Sequence, residues 1–259
     1  MNGSLQWVSV CVLLGPVLGF ALGSRSIVEI PEAEAAEHRI GERGPIYTNL
    51  GHEHFAAECE VVVGTDGTAV SARVVSGGLM SDLAPLCKTW RYKPFDRNGQ
   101  PVEARVRESI TILPFSELSQ TQVPFPEIRD WNSLRITLSR GACYGTCIPY
   151  EIEVHGDGTA WYEGRTNAGT TGKKKTKISR ASLVKLVEAF RKVDYFSLAE
   201  GYESGVTDLP TFVTSISFDG VSKSVLDYVG RDSGMPPGVS DVEAAVDRLL
   251  GAYRWVERK

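Results

Sequence analysis

The sequence predicts an α+β protein made of two small modules, each an antiparallel sheet packed with helices. Apolar residues alternate with polar ones in several short segments, which is typical of half-buried strands, and recur at helical spacing in three others. Two-residue turn signals lie between the strand-like segments: Asp66-Gly67, Asn98-Gly99, Asp157-Gly158 and Asp219-Gly220. Such pairs favour hairpins, because they tolerate positive φ at low cost. Four hairpins indicate a mainly antiparallel sheet.

Composition excludes several classes of protein. The chain has 259 residues, 28 Lys and Arg against 32 Asp and Glu, and a net charge of −4. This acidic balance argues against nucleic-acid binding, which needs many phosphate-neutralising cations on one face. The composition also excludes a multi-span membrane protein, a coiled coil and collagen.

The amino terminus resembles an export signal. Residues 7–23 form an apolar run that Gly15-Pro16 interrupts, and the small residues Ala21 and Gly23 predict cleavage after Gly23. We therefore expect a signal peptide at residues 1–23 and a periplasmic or secreted protein. No Lys or Arg precedes the run, so a retained membrane anchor is the alternative, and membrane contact is expected only in that case.

Four cysteines follow the leader: Cys59, Cys87, Cys143 and Cys147. An even number in an exported chain indicates disulfides, and three pairings are open. Because each half of the chain holds two cysteines, the economical choice is Cys59–Cys87 with Cys143–Cys147.

Proline-containing stretches divide the chain. Residues 24–54 have clustered charge and little periodicity, which predicts a flexible or short-helical lead-in. Residues 114–130 contain three prolines and predict a linker. The expected domains are therefore residues 55–113 and 131–259.

The first module has the order β-β-α-β. Residues 60–63 and 70–74 flank the first turn, and an apolar stripe at helical spacing runs from Leu79 to Trp90. Apolar and polar residues alternate in the last strand, which predicts one apolar face formed by Val102, Ala104, Val106, Ile110 and Ile112. A helix packed on this sheet would bring Cys87 to Cys59.

Residues of this module resemble the C-terminal domain of the TonB energy-transducer family. The likeness lies in residues 61–68 (VVVGTDGT), 72–77 (ARVVSG), 90–94 (WRYKP) and 99–102 (GQPV), within about 56–113. Domains of that family bind receptors by adding a strand to a sheet edge. The resemblance therefore implies an envelope protein or peptide as the partner.

The second module combines strands and two helices. Leu134, Ile136 and Leu138 begin a strand, and hairpins are expected around Asp157-Gly158 and Asp219-Gly220. A helix capped by Ser179 presents an apolar stripe from Leu183 to Val193. The last helix is expected to open with a capping box formed by Ser240 and Glu243.

Residues 134–256 resemble a family of exported bacterial domains without a characterised function. The likeness lies in residues 143–150 (CYGTCIPY), 156–159 (GDGT) and 207–211 (TDLPT), with Phe196 and Asp227-Tyr228. It implies an exported α+β module and no particular activity.

Few residues suggest chemistry. Three residues separate Cys143 from Cys147 and no helix follows, so we expect a structural disulfide rather than a redox pair. Asp208, Asp227 and Tyr228 are the candidate polar ligand cluster, although Asp208 beside Pro210 equally suits a loop cap. No metal site, cofactor or catalytic residue is predicted.

The sequence therefore favours an exported, non-catalytic envelope protein that binds a protein or peptide partner through a sheet edge, at residues 102–112 or the neighbouring strand. The first alternative is a membrane-anchored TonB-type energy transducer. The second is a periplasmic enzyme, such as a thiol oxidoreductase using Cys143 and Cys147. The basic run at residues 173–177 is interpreted as a solvated hairpin, with anionic envelope glycans or lipids as conceivable partners.

Overall fold

The computed structural model describes residues 27–119, 121–165 and 172–251. The predicted signal peptide, residues 1–23, lies outside these ranges. No helix within them is long and apolar enough to span a bilayer. The predicted α+β class is confirmed, because the described residues contain four α-helices and one large, mostly antiparallel sheet.

The strands of the described residues are, in chain order, β1 (Val28–Glu29), β2 (Arg39–Ile40), β3 (Ile46–Thr48), β4 (Phe55–Val63), β5 (Ala69–Ser76), β6 (Arg91–Tyr92), β7 (Asp96–Arg97), β8 (Gln100–Pro101), β9 (Ala104–Pro114), β10 (Arg135–Arg140), β11 (Tyr150–His155), β12 (Thr159–Gly164), β13 (Gly172–Lys177), β14 (Gly201–Glu203), β15 (Phe212–Phe218) and β16 (Val221–Tyr228). The helices are α1 (Glu32–His38), α2 (Ala84–Lys88), α3 (Arg180–Lys192) and α4 (Gly238–Leu250).

All four turn signals join antiparallel neighbours: β4–β5, β7–β8, β11–β12 and β15–β16. Asn98 and Asp219 have positive φ, like the glycines that follow them, as type I′ turns require. Asp66 and Asp157 do not have positive φ. Their carboxylates instead accept the backbone N–H of the threonine two positions later, at 2.9 and 2.8 Å. In these two turns only the glycine has positive φ, and the Asp side chain stabilises the turn through its hydrogen bond.

One sheet runs through both halves of the chain. Its order is β13-β12-β11-β10-β15-β16-β14-β3-β9-β4-β5, and β1 pairs beside β9. The short strands β14 and β3 form the junction, and each of their pairings is parallel. The two predicted modules therefore share a continuous sheet, which the sequence did not predict.

Two apolar cores lie on this sheet. The first packs α1 and α2 against β4 and β9, and the second packs α3 and α4 against β10, β11, β12, β15 and β16. Strands β15 and β16 contribute to both cores. Val213 and Leu226 face the first, whereas Ile216 and Val225 face the second. These strands are buried on both faces because the cores overlap at the junction.

The predicted lead-in, residues 24–54, contributes structure to the first half. It supplies β1, α1, β2 and β3, and every residue of β3 is buried. The carboxylate of Glu108 on β9 is also buried and lies 2.8 Å from Nε of Arg39. A strand of three residues has no readable periodicity, which explains why the sequence did not show it.

The predicted linker, residues 114–130, packs along the second core. Ile128 is buried, and the ring of Phe125 lies 5.1 Å from that of Phe196 and 5.9 Å from that of Phe218. The carboxylate of Asp219 accepts the backbone N–H of Arg129 at 2.7 Å. The proline-containing stretch is thus held against the body of the protein.

The two long helices differ in how well the sequence predicted them. Ser179 caps α3 by accepting the N–H of Ser182 at 3.1 Å, as predicted. Helix α4 begins at Gly238, so Ser240 lies within its first turn. The predicted capping box is wrong, because Glu243 is buried beside Asp227 instead of reaching back to the start of the helix.

Both predicted disulfides are present. Cys59 on β4 and Cys87 on α2 are fully buried, with their Cα atoms 6.5 Å apart. Cys143 and Cys147 close a short loop, with their Cα atoms 5.5 Å apart. The first bridge fixes α2 on the sheet, and the second fixes the approach to β11.

Candidate functional site

The structure divides the predicted polar cluster of Asp208, Asp227 and Tyr228. The hydroxyl of Tyr228 accepts the N–H of Leu209, next to Asp208, at 3.3 Å, whereas Asp227 does not join them. Tyr228 belongs to the first core, whereas Asp227 points to the opposite face of the sheet, toward α4. Asp208 is exposed in a loop and has positive φ. Neighbouring residues of a strand face opposite ways, so Asp227 and Tyr228 cannot converge on one ligand.

Asp227 instead forms a buried carboxyl pair with Glu243. Burial, aided by the charge of Asp227, raises the pKa of Glu243 to about 9. Burial also raises the pKa of Asp227, whose Oδ1 accepts the N–H of Gly230 at 2.7 Å. The pair holds a proton at neutral pH and fastens α4 to β16.

The loop around Asp208 contacts the small disulfide loop. The N–H of Tyr144 donates to the Asp208 carbonyl at 3.2 Å, and the N–H of Gly141 donates to the Thr211 carbonyl at 2.7 Å. Tyr144 is 89% exposed. No helix begins in residues 141–149, as expected for a structural disulfide.

The predicted partner-binding strand is an interior strand. Val102 precedes β9, and Ala104, Val106, Ile110 and Ile112 face the first core. Strand β4 pairs along one side of β9, while β1 pairs with its start and β3 with its end on the other side. The expectation that this strand offers a free edge is therefore wrong, because the chain's own lead-in occupies that edge.

The edge strands of the large sheet are β5 and β13. The pairing of β5 with β4 shifts register twice, and Thr68, just before β5, bridges to Arg91. Strand β13 pairs with β12 without interruption, from Gly172 opposite Gly164 to Lys177 opposite Thr159. Among the described residues, β13 is thus the regular open edge of the sheet.

Four lysines dominate β13. Lys173, Lys174, Lys175 and Lys177 are all exposed. The ammonium groups of Lys173 and Lys175 lie 4.7 and 4.8 Å from the ring centre of Trp161 on the neighbouring strand. This distance suits cation–π attraction, which orients both side chains toward one face of the sheet.

On that face, a cavity of about 200 Å³ lies where the two halves of the sheet meet. The end of α2 and the start of β6 form one wall, and the polar face of β10, β11 and β12 forms the floor. Its charged and hydroxyl-bearing lining includes Lys88, Thr89, Arg91, Arg135, Thr137, Ser139, Glu151, Glu153, Glu163 and Lys173. Trp161 also lines the cavity.

Most acidic groups of the cavity are already paired. Nζ of Lys88 lies 3.0 Å from Glu151, and Arg135 lies 2.8 Å from Glu153. Burial opposes ionisation of Glu153, but His155 and Arg135 outweigh it and lower its pKa to about 2. These carboxylates are therefore ionised and occupied by the protein's own cations.

Arg91 differs from the other cations. Its guanidinium donates to the Trp90 carbonyl at 3.2 Å, and no carboxylate of the described chain lies within ion-pair distance of it. Burial, together with the adjacent charge of Arg135, lowers the pKa of Arg91 to about 10. Two guanidinium groups thus line one cavity, and of the two only that of Arg135 is paired with a carboxylate, Glu153, among the described residues.

Sequence reasoning did not select Arg91, Arg135 or Trp161. The alternation of polar residues along β10, β11 and β12 was readable, and the lysine run was recognised. The sequence did not show that α2 packs across that face. This packing joins residues 85–91 to residues 135–173, which are far apart along the chain.

The protein is thus an α+β protein with one continuous sheet and a polar cavity at its junction. Residues 134–250 match the model of a family described as a domain of unknown function, DUF6438. That segment includes most of the second core, the disulfide loop and β13. No curated protein matches the chain.

Proposed function

We propose that the protein is an exported, non-catalytic binding protein of the bacterial envelope, which binds an extended acidic segment of a partner protein along β13. One observation supports this proposal above others. Strand β13 is an uninterrupted edge strand of the sheet, and lysine occupies four of its six positions.

An open edge supports binding by strand addition. The outer backbone groups of β13 have no neighbouring strand among the described residues. An extended peptide would pair with these groups, and the alternating side chains would then select its sequence. The resemblance of residues 56–113 to TonB-type domains also favours strand addition, although the open edge lies in the other half of the chain.

The charge of the edge selects the partner. Lysines on an edge discourage pairing between two copies of the same chain, because like charges would then lie opposite each other. The same lysines attract a strand that carries Asp or Glu at alternate positions. Charge therefore disfavours self-association and favours an acidic partner.

The disulfides support an exported protein. Cys59–Cys87 and Cys143–Cys147 are both formed, and such bridges persist in oxidising compartments. Together with the predicted leader, they favour the periplasm or the cell exterior.

A matched pair of charge reversals tests the proposal. The probe is a fluorescent synthetic peptide of alternating Glu and Val, and the measurement is its anisotropy at about 50 mM salt. Lys174→Glu, on β13, should weaken binding about fivefold or more. Lys185→Glu, on the exposed face of α3, changes the net charge equally and should leave binding unchanged.

A second probe separates strand addition from simple charge attraction. The same peptide with every backbone nitrogen methylated keeps its charges but cannot donate main-chain hydrogen bonds. We expect it to bind about tenfold more weakly. Equal binding of both peptides, or an equal effect of the two lysine variants, would contradict the proposal.

A further inference from the structure

The cavity at the junction of the sheet contains an incompletely neutralised pair of cations. Arg91 enters from β6 and Arg135 from β10, so each half of the chain supplies one guanidinium group. Glu153 neutralises Arg135 at 2.8 Å, and no carboxylate of the described residues pairs with Arg91. Burial and the charge of Arg135 lower the pKa of Arg91 more than the carboxylates of Glu153 and Asp66 raise it.

Keeping a half-buried cation beside another cation costs free energy, because both lose hydration and repel each other. An anion between them removes this cost. Guanidinium groups bind planar carboxylates through two parallel hydrogen bonds, so a carboxylate is well suited to this position.

The remaining lining suits the body of a small polar molecule. Ser139 supplies a hydroxyl group, whereas the hydroxyls of Thr89 and Thr137 already bond to Ser224 and Ser215. The ring of Trp161, beside the ammonium groups of Lys173 and Lys175, supplies a flat surface. The volume of about 200 Å³ corresponds to about six or seven water molecules at ~30 Å³ each. This is room for a single sugar ring or one amino-acid residue, and not for a folded partner.

We propose that the cavity is a binding site for a small carboxylate-bearing ligand, which Arg91 and Arg135 hold by its carboxylate while its body contacts Trp161. The site differs from the strand-addition edge, since it lies on the face of the sheet, and among its described lining residues Lys173 alone belongs to β13. A sugar acid and the terminal carboxylate of a peptide share this chemistry.

The test titrates the full exported chain with four probes: glucuronate, N-acetylalanine, glucose and inorganic phosphate. Binding is followed by NMR of backbone amides and by calorimetry at about 50 mM salt. We expect glucuronate or N-acetylalanine to shift the amides of Arg91, Arg135 and Trp161. The two carboxylates distinguish the sugar-acid source from the peptide source. Glucose should bind about tenfold more weakly or not at all.

Variants then assign the contact. Arg91→Gln should weaken carboxylate binding about tenfold or more, whereas Arg91→Lys should retain part of it. Arg191→Gln, on the exposed face of α3, should leave binding unchanged. If Arg91→Gln does not fold, Trp161→Phe serves as the second variant and should weaken binding with a smaller effect.

The proposal is overturned if neither carboxylate shifts the cavity amides of the wild-type protein. It is also overturned if glucose binds as tightly as glucuronate, if phosphate alone binds, or if Arg91→Gln binds like wild type. Lys174→Glu should leave carboxylate binding in the cavity intact. Failure of this proposal is therefore distinguishable from failure of strand addition at β13.

Discussion

Lys88 and Glu151 join the two halves of the protein across the cavity, with Nζ of the lysine 3.0 Å from Oε2 of the glutamate. Lys88 ends α2 in the first half, and Glu151 lies on β11 in the second. Arg165 contacts the same carboxylate. This cluster spans the junction that the continuous sheet creates.

Replacement of Glu151 should weaken that junction. Burial opposes ionisation of Glu151, but the nearby charges of Lys88 and Arg165 outweigh it and lower its pKa. Glu151→Gln should therefore reduce the free energy of unfolding by about 1 kcal/mol at pH 7. The contribution is present above the ordinary pKa of the carboxyl and is lost as the pH falls through its lowered value.

Urea unfolding at pH 7 and at pH 3 measures this effect. Glu188→Gln is the control, because Glu188 pairs with Arg191 on the exposed surface of α3. We expect the control to change stability by less than about 0.5 kcal/mol. Equal effects of the two variants at pH 7 would show that the junction pair contributes no more than a surface pair.

Glu243 predicts the opposite dependence on pH. Burial, aided by the charge of Asp227, raises its pKa in the folded state to about 9, whereas the unfolded chain titrates near the ordinary value. Between these values the folded state binds the extra proton, so stability falls as the pH rises. The expected slope is on the order of 1 kcal/mol per pH unit.

Glu243→Gln should flatten this slope, so the variant should gain stability relative to wild type between pH 5 and about 8. Asp227 leaves a residual slope of the same sign, because its pKa is also raised. Asp241→Asn, on the exposed face of the same helix, should leave the slope unchanged. Parallel stability curves for wild type and Glu243→Gln would refute the buried pair.

The two disulfides should contribute unequally. Cys59–Cys87 closes a loop of 28 residues, whereas Cys143–Cys147 spans a separation of 4. Loop entropy assigns about 3.5 kcal/mol to the first bridge and about 2 kcal/mol to the second. Because Cys59 and Cys87 are buried, replacing both with alanine also removes packing contacts and lowers the free energy of unfolding further.

Each disulfide is removed by replacing both of its cysteines with alanine. Urea unfolding of the two double variants, without added oxidant or reductant, then compares these values. We expect the Cys59→Ala/Cys87→Ala variant to be the less stable of the two. A larger loss from Cys143→Ala/Cys147→Ala would mean that the small loop has a structural role beyond its own closure.

Two turn glycines offer a matched comparison. Gly67 and Gly99 both have positive φ, which costs any other residue about 1 kcal/mol. A methyl group on Gly67 would overlap the Tyr92 carbonyl oxygen, whereas one on Gly99 would meet nothing within 4 Å. Gly67→Ala should therefore lower the free energy of unfolding by about 3 kcal/mol and Gly99→Ala by about 1 kcal/mol. Thermal unfolding of the two variants tests this difference.

The sequence predicted the local features well. Turns, the Ser179 cap and the apolar stripe of α3 depend on residues that are close along the chain. The disulfide pairs followed from the division of cysteines between the halves. Asp227 and Tyr228 were grouped because they are adjacent, although strand alternation places them on opposite faces.

The features that the sequence did not reveal depend on contacts between distant segments. Strands β3 and β14 have three residues each, too few for periodicity, and they pair in parallel across more than 150 positions. The cavity brings Arg91 beside Arg135 only after α2 has packed at that junction. The pairing of β1 and β3 with β9 also depends on distant segments. The sequence therefore did not show that residues 24–54 cover this side of β9.

Amide hydrogen exchange of the full chain, with and without the acidic Glu-Val peptide, tests strand addition at β13 most directly. We expect the outward-pointing amides of residues 172–177 to become protected, while those of β5 do not change. Peptide binding without protection of any β13 amide, or protection confined to another segment, would contradict it.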